Sequence, residues 1–515
     1  MIYKLVGIRG PLALFLKLGL LGGADAFLIW LTAAALNKSS FIIAGVVIAT
    51  IIFLNYSFIT KGFIPLKFLA VGLVFFSIFV ITPTGYTIVM STYNFKTGNE
   101  IAKSAAIKEI INNGITPDLE GTVYDLFLGK TSDGKYAGII QNQITGELLY
   151  ADESKVKPID PNLIKRNVAG LLVGAEGLSA ISPEEFANDD AAITSLRFPL
   201  GDGSYVNPQG SDIAARLTQN IIYDEANDQI KNIETGQIFI DNGKGNFAAS
   251  DDPSNRLDPG WRAFSGLDNF KSLAFDENLR DPFIKVFIWT VVFAFLSVAT
   301  TFAVGMALAI ALQHPIRFRR FYRGFLIMPY AIPSFMSILI WRGLFNKEYG
   351  AINTLFNLNI DWFDSPWLAK FAVILVNLWL GFPYMYLIGS GALQSIPSEL
   401  EEAASIDGAT EKQAFIAIKL PMLLQILGPL LIASFAFNFN NFNIIYLLTG
   451  GGPTNSIDGE IAGDTDILIS YAYKTAFGTN FQDLGLSSAI SMVMFVIVGI
   501  ISMYTLKKSK IMDTL

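Results

Sequence analysis

The chain contains 515 residues, of which 52% are hydrophobic and only 16% are charged, and its net charge is −7. Soluble domains carry about 25% charged residues, so this composition excludes a disordered chain, a nucleic-acid-binding protein and an ordinary cytosolic enzyme. The sequence has no cysteine and one histidine, His314. It therefore excludes disulfides, thiolate metal sites and multi-histidine metal sites.

Eight apolar segments of about 20 residues predict eight transmembrane helices, three in residues 1–90 and five in residues 281–515. Seven of them carry no charged side chain. The first contains Asp25, which is either a functional acid within the membrane or a residue near the membrane surface. The predicted spans are Leu18–Leu36, Phe41–Ile59, Phe68–Met90, Val286–Leu312, Gly324–Trp341, Phe371–Leu393, Pro421–Leu448 and Leu484–Leu506.

An acidic segment separates the third and fourth predicted spans. Residues 91–280 contain 28 Asp and Glu against 17 Lys and Arg, whereas the rest of the chain contains 16 acidic and 20 basic residues. The segment is long enough to form a domain with its own core. Helical spacing at Ile101–Asn112 and strand-like runs at Thr122–Leu128, Tyr136–Gln141 and Gln237–Ile240 predict a mixed α/β domain.

The basic residues of the short loops predict the orientation of the chain. Eight spans place both termini on the same side of the membrane. If the N-terminus is inside, the cytoplasmic segments hold fourteen Lys and Arg, and the short external segments hold six. By the positive-inside rule, both termini are cytoplasmic and residues 91–280 are extracytoplasmic, that is, periplasmic. The expected fold is an all-α polytopic protein of the cytoplasmic (inner) membrane, with an α/β domain inserted between helices 3 and 4.

The predicted cytoplasmic loop between spans six and seven contains signals for two short helices. Ser398–Glu401 and Thr410–Gln413 each have capping-box spacing, and Gly408 offers a helix end between them. Two short helices beside the membrane would form a compact protrusion for another protein to grip. An amphipathic loop lying on the bilayer fits the same residues equally well.

Polar and aromatic side chains recur on one face of spans six and seven, at positions i, i+3, i+4 and i+7 of each. Uncharged amides and hydroxyls are costly at membrane depth unless they find hydrogen-bond partners. Sugar hydroxyls are one possible set of partners, and an aromatic ring can cover the apolar face of a sugar. Hydrogen bonding between neighbouring helices is the alternative.

Several motifs resemble those of a known family. Glu402-Ala403-Ala404, Gly408 and Ile418-Lys419-Leu420-Pro421 resemble the EAA motif of ABC importer membrane subunits. Pro329–Phe335, Asn377–Tyr384 and Ala433–Phe442 are similar to stretches of the maltose/maltodextrin permeases within that family. The resemblance covers residues 280–515 well, and it covers the first three spans and the insertion only as a layout.

The resemblance implies two functional sites. Residues 398–421 would be the coupling loop that docks into an ATPase subunit, and the polar faces would bind sugar. The implied coupling residues are Glu402, Ala403, Ala404, Gly408, Ile418, Leu420 and Pro421. The implied substrate-binding residues are Tyr330, Asn377, Leu380, Gly381, Tyr384, Ser434, Phe437, Asn438 and Asn441. Spacing predicts that Asn440 and Asn443 face elsewhere.

The sequence contains no catalytic or nucleotide-binding motif, so we expect a transport subunit that is not an enzyme and binds no metal or cofactor itself. The resemblance implies that ATP and Mg²⁺ are used by a dimer of MalK-like ATPases. It also implies a MalG-like second permease subunit and a periplasmic maltose-binding protein that delivers maltose or maltodextrins.

Two other functions compete with this one. A secondary sugar transporter is disfavoured because charge-free spans lack acids for ion coupling. A membrane receptor is disfavoured because the longest predicted internal loop, Gln394–Leu420, is too short for a signalling domain. Phe382 and Tyr386 differ from the family pattern, which leaves the preferred sugar chain length open.

Overall fold

The computed structural model describes residues 10–37, 41–59, 64–118, 121–168, 170–313, 316–454, 461–478 and 482–508. The chain forms two compact units. One consists of Met1–Thr97 together with Phe264–Leu515, and the other is Gly98–Ala263. His314 lies outside the described residues.

The N-terminal part of the first unit is helical because its residues are nearly all apolar and a helix satisfies every backbone polar group within lipid. A π-helical turn, Ser77–Ile81, joins its third and fourth helices without a break. The helices are α1 (Pro11–Asn37), α2 (Phe41–Ile59), α3 (Ile64–Phe76) and α4 (Thr82–Met90).

Asp25 lies within the apolar helix Phe15–Asn37 and contacts the neighbouring helix. The side-chain nitrogen of Asn55 on α2 is 2.9 Å from each carboxylate oxygen of Asp25. The same nitrogen is 3.0 Å from the carbonyl oxygen of Ile51. The acid therefore forms a polar contact between α1 and α2, of the kind that links helices where water is scarce.

The unit Gly98–Ala263 is rich in β-strands. Its helices are α5 (Lys103–Asn113), α6 (Pro183–Asn188) and α7 (Asp190–Thr194), and a 3₁₀ turn covers Pro161–Leu163. The strands of the chain, including β1 just before this unit, are β1 (Tyr93–Asn94), β2 (Ile115–Pro117), β3 (Val123–Lys130), β4 (Tyr136–Asn142), β5 (Leu148–Asp152), β6 (Val156–Pro158), β7 (Ile164–Arg166), β8 (Leu172–Ala175), β9 (Ser179–Ala180), β10 (Phe198–Pro199), β11 (Ser204–Pro208), β12 (Ile213–Gln219), β13 (Ile221–Asp224), β14 (Gln229–Asn232), β15 (Ile238–Asp241), β16 (Phe247–Ala249) and β17 (Ala263–Phe264).

Two antiparallel sheets dominate this unit. The larger has the order β10-β11-β12-β3-β4-β5-β6, with β2 added to β12 and β9 added to β3. Its core includes Leu126, Ile140 and Phe198. The smaller is the meander β13-β14-β15-β16, and Ile110 of α5 packs with Phe247 of β16 in its core. Helix α5 and strands β3, β4 and β15 lie where the sequence predicts them.

The C-terminal part of the first unit is helical. A π-helical turn, Phe415–Lys419, precedes α16. The helices are α8 (Asp268–Phe275), α9 (Glu277–Ala311), α10 (Arg319–Ala331), α11 (Ser334–Leu344), α12 (Ala351–Phe356), α13 (Pro366–Gln394), α14 (Glu399–Ile406), α15 (Glu411–Ala414), α16 (Leu420–Phe439), α17 (Phe442–Leu448), α18 (Leu468–Phe477) and α19 (Leu484–Lys508).

Among the described residues, six helical segments are long and apolar enough to cross a membrane, and the pair α10–α11 makes up to seven. One of the six runs without interruption from Glu411 to Phe439 through α15, the π-helical turn and α16. Within α2, Ile43–Ile59 is a shorter apolar helix. The protein is therefore a helical membrane protein that carries a β-rich unit.

Two of the predicted spans are not single helices. Span five is bent by 92° between α10 and α11, because Ile332 is extended before Pro333, as residues before proline tend to be. Span seven breaks between Phe439 and Phe442, where asparagine side chains compete for backbone hydrogen bonds. Asn440, for example, donates to the carbonyl oxygen of Ala436 at 3.2 Å.

Helices α9 and α13 pack closely because glycines face the partner helix. A Cβ atom on Gly305 of α9 would lie 2.6 Å from the Cβ of Met385 on α13. A Cβ atom on Gly389 of α13 would lie 3.1 Å from the Cε of Met306 on α9. Small residues of this kind allow membrane helices to approach each other.

A buried ion pair fixes the loop between α17 and α18. The carboxylate of Asp466 is fully buried and accepts hydrogen bonds from Lys474 at 2.6 Å, from the Gly463 N–H at 2.7 Å and from Ser470 at 2.8 Å. Burial raises the pKa of Asp466, and Lys474 and the hydrogen-bond donors oppose that rise. The carboxylate leaves no room for a side chain at Gly451, which lies against it.

We expect Asp466→Ala to lower the free energy of unfolding by about 3–5 kcal/mol, because it leaves Lys474 without its buried partner. Thermal unfolding of the purified protein in detergent measures the change. Asp464→Ala is the matched control, since it removes a more exposed ion pair with Lys285 at 3.0 Å and should cost about 0–1 kcal/mol. Equal losses of unfolding free energy in Asp466→Ala and Asp464→Ala would contradict the expectation.

Candidate binding cavity between the membrane helices

A cavity of about 640 Å³ lies between the bend of α10–α11, the middle of α13 and the break between α16 and α17. This volume lies within the usual range of small-molecule sites, about 300–1,000 Å³. The structure brings together all nine residues that the sequence analysis assigns to substrate binding. The lining includes Tyr330, Asn377, Leu380, Gly381, Tyr384, Ser434, Phe437, Asn438 and Asn441.

Three asparagine side chains form a hydrogen-bonded chain along one wall. Asn377 on α13 donates to the side-chain oxygen of Asn438 on α16 at 2.8 Å. Asn441 donates to the side-chain oxygen of Asn377 at 3.4 Å, and Asn438 donates to the carbonyl oxygen of Ser434 at 2.8 Å. The same amides therefore connect the helices and form the polar wall of the cavity.

Other polar groups in the wall have no hydrogen-bond partner among the described residues. The hydroxyls of Tyr330, Tyr384 and Ser434 make no hydrogen bond with any residue that the structure describes. The rings of Tyr330 and Phe437 are 58% and 70% exposed. The described residues that line the cavity carry no charge. The site can therefore bind an uncharged ligand that has both hydroxyl groups and apolar faces.

Gly381 brings α9 close to this wall. A Cβ atom at Gly381 would lie 2.7 Å from the Cγ2 of Thr301 on α9. The Thr301 hydroxyl is already engaged, because it donates to the carbonyl oxygen of Ser297 at 2.6 Å. The glycine therefore serves helix packing as well as the shape of the cavity.

The cavity also contains residues that the sequence analysis did not assign to it, including Thr301, Ser334 and Asn443. The prediction that Asn443 faces elsewhere is wrong, because its spacing was counted through a helix that in fact ends at Phe439. Asn440, by contrast, lies outside the lining, as expected. The sequence feature that could have placed Ser334 at the bend is its position directly after Pro333.

The predicted coupling loop forms two short helices, α14 and α15, joined at Gly408. Gly408 has a φ of +82°, a conformation that side chains other than glycine rarely adopt. The capping box predicted at Thr410–Gln413 is confirmed. The one predicted at Ser398–Glu401 is wrong, since Ser398 is itself helical and its side chain makes no cap.

The rest of the EAA segment connects this loop to the membrane helix. Glu402, Ala403 and Ala404 lie on α14, with Ala404 buried. Ile418 lies in the π-helical turn, and Leu420 and Pro421 begin α16. An ion pair between Lys419 and Glu401 connects the π-helical turn to α14. Ile406, at the end of α14, is 86% exposed.

Comparisons with known proteins identify the family. A family model described as "Binding-protein-dependent transport system inner membrane component" matches residues 299–509. The maltose/maltodextrin transport system permease protein MalF of Vibrio vulnificus (strain YJ016) is 33% identical and covers 98% of this chain and 96% of its own. MalF of Escherichia coli (strain K12) is 33% identical and covers 88% and 89%. The chain belongs to this permease family.

Membership settles the class of the protein. The chain is a multi-pass permease subunit of an ABC importer in the inner membrane, and it is not an enzyme. An importer of this class works with a binding protein and with ATPase subunits that are separate chains.

We expect Gly381→Ala to destabilise the protein by about 1–3 kcal/mol, because its Cβ would press on Thr301 and force α9 and α13 apart. Adding Thr301→Ser should recover most of the loss, since serine lacks the Cγ2 but keeps the hydroxyl. Thermal unfolding in detergent measures both. The control is Gly391→Ala on the same helix, where a Cβ meets nothing within 4 Å. If Thr301→Ser does not restore the stability lost in Gly381→Ala, the contact between these two residues is not the cause of the loss.

Proposed function

We propose that this chain is the subunit through which an ATP-driven importer translocates maltose and maltodextrins. The observation that carries the proposal is the uncharged cavity, whose wall combines asparagine amides and unpartnered hydroxyls with exposed aromatic rings. The names of the relatives, which are maltose/maltodextrin permeases, point to the same class of sugar.

The chemistry of the wall suits an oligosaccharide of glucose. Each sugar hydroxyl is both a donor and an acceptor, and an amide or hydroxyl side chain can match either role. Tyr330 and Phe437 line the cavity, and their rings would cover apolar sugar faces. The site offers no charge to attract an ionic ligand. The preferred chain length stays open, and another α-glucoside would fit the same groups.

The topology that we propose has eight transmembrane helices. It counts the six long apolar segments, the bent pair α10–α11 and the shorter helix α2. Residues 1–90 would form three spans, residues 91–280 the periplasmic domain and residues 281–515 the permease core. The excess of basic residues on one side supports cytoplasmic termini. The β-rich unit would then meet a periplasmic maltose-binding protein.

The energy would come from outside this chain. We propose that a dimer of MalK-like subunits binds ATP and Mg²⁺ and that a MalG-like subunit completes the membrane pathway, so this chain needs no cofactor of its own. Helix α14, with Glu402, Ala403 and Ala404, would dock into an ATPase, and the exposed Ile406 supplies an apolar contact. Gly408, Ile418, Leu420 and Pro421 would transmit the movement to α16 as the ATPases close.

The test is uptake of labelled maltose by cells that lack this gene but contain the partner subunits. The wild-type chain should restore uptake. Asn438→Ala should lower it by about tenfold or more, because it removes one sugar contact and frees the amide of Asn377 from its partner. Gln425→Ala, which removes an exposed amide of the same helix outside the cavity lining, should leave uptake unchanged.

Membrane insertion of each variant is checked by its amount in the purified complex. If the wild-type chain does not restore maltose uptake, the transported sugar is not maltose. If Asn438→Ala and Gln425→Ala lower uptake equally, the cavity is not the sugar site.

The topology has its own test, because the natural chain has no cysteine. Ser254→Cys in the β-rich unit and Lys412→Cys in the coupling loop both replace exposed residues. A membrane-impermeant maleimide added to spheroplasts should label the first at once and the second only after permeabilisation. The reverse pattern would invert the orientation, and labelling of both in intact spheroplasts would contradict the proposed span count.

A further inference from the structure

A second cavity, of about 300 Å³, lies at the C-terminal ends of α9 and α13. It is bounded by the end of α9, the start of α10 and the last turns of α13. The lining residues are Ala309, Gln313, Arg319, Arg323, Ser390, Leu393 and Gln394.

Two arginines enter this cavity from one face of α10. Arg319 and Arg323 are four residues apart, so their side chains lie on the same side of the helix. Both arginines are half-buried, and the Nε atom of each is buried without a hydrogen-bond partner among the residues that the structure describes. A buried cationic donor without an acceptor is costly, so these two groups indicate an acceptor that the described residues do not supply.

The rest of the lining also offers hydrogen-bond donors. The side chains of Gln313, Ser390 and Gln394 make no hydrogen bond with any residue in the described ranges. None of the described lining residues is acidic. Two guanidinium groups, two amides and a hydroxyl around one cavity match the oxygen atoms of a phosphate group, which guanidinium groups bind with paired donors.

The surroundings favour a lipid over a free ion. Phe318, Phe321 and Tyr322, which adjoin the two arginines in sequence, are 66%, 70% and 46% exposed. Tyrosine is one of the side chains that collect where a membrane meets water. Basic pockets between membrane helices on the cytoplasmic side are suited to anionic lipid headgroups.

We propose that Arg319 and Arg323, with Gln313, Ser390 and Gln394, bind the phosphate of an anionic phospholipid. The assignment of this end to the cytoplasmic leaflet rests on the proposed function. The lipid would fill the gap between α9, α10 and α13 and stabilise α10 next to the bend that carries Tyr330. The site is separate from the sugar cavity, whose described lining shares no residue with it.

The experiment counts lipids bound to the whole importer, purified with its partner subunits. Native mass spectrometry measures phosphatidylglycerol and phosphatidylcholine retained per complex. The test variant is Arg319→Gln with Arg323→Gln. The matched control is Arg317→Gln with Arg320→Gln, which removes the same charge from exposed positions of the same segment, outside the cavity lining.

We expect the wild-type complex to retain one more phosphatidylglycerol than the test variant and to show no such preference for phosphatidylcholine. Each cavity arginine should contribute about tenfold or more to the affinity, as hydrogen bonds to charged groups do. An exposed arginine near the membrane should contribute about fivefold, with no loss of the retained lipid. Ser390→Met, which keeps all four arginines but fills the cavity, should lose the lipid as the test variant does.

Several results would overturn the proposal. Equal retention of phosphatidylglycerol in the two double variants would show that the charge of the whole basic segment attracts the lipid. Displacement of the lipid by millimolar inorganic phosphate, with phosphate bound in its place, would make the free ion the ligand. Loss of a partner subunit from the test variant, with the lipid count unchanged, would make the arginines a contact between proteins. Lipid counts do not depend on which sugar is carried, so this test can fail while the maltose test succeeds.

Discussion

The close approach of α9 and α13 is the contact on which both cavities depend. Gly305, Gly381 and Gly389 remove side chains from the seam between the helices, and bulkier residues of the partner helix fill the space. The seam fixes the direction in which the middle of α13 presents Asn377 and Tyr384. It also fixes the positions of Ser390 and Gln394 at the C-terminal end of α13. Because membrane helices gain little from burying apolar area against each other, such packing has to come from fit.

The cavity around Asn377 and Asn438 illustrates how a membrane protein can keep polar groups without keeping charge. Asn377 donates to the side-chain oxygen of Asn438, and Asn438 donates to the carbonyl oxygen of Ser434, so both amide groups have an acceptor within the protein. The hydroxyls of Tyr384 and Ser434 stay available. A ligand with hydroxyl groups can exchange partners with this network at little cost, whereas an ion would have to leave water without finding an opposite charge.

Hydropathy and helical spacing were enough to predict most of the membrane core. Residues i, i+3, i+4 and i+7 of α13 face one way in any helix, so the group from Asn377 to Tyr384 could be placed before the structure was known. The break after Phe439 could not, because side-chain competition for the backbone is decided by tertiary context. Asn443 was misplaced for that reason. The network around Asp466 was also hidden, since Gly451, Gly463 and Lys474 meet it only after folding.

The uninterrupted helix from Glu411 to Phe439 has a mechanical consequence. Its 29 residues span about 43 Å at a rise of about 1.5 Å each, and they connect the loop at Gly408 to Asn438. The helix can therefore work as a lever. A tilt of about 10° about the middle of the helix moves its two ends by roughly 4 Å in opposite directions over that length. A small displacement of the loop would be sufficient to part Asn438 from Asn377 and open the wall of the cavity.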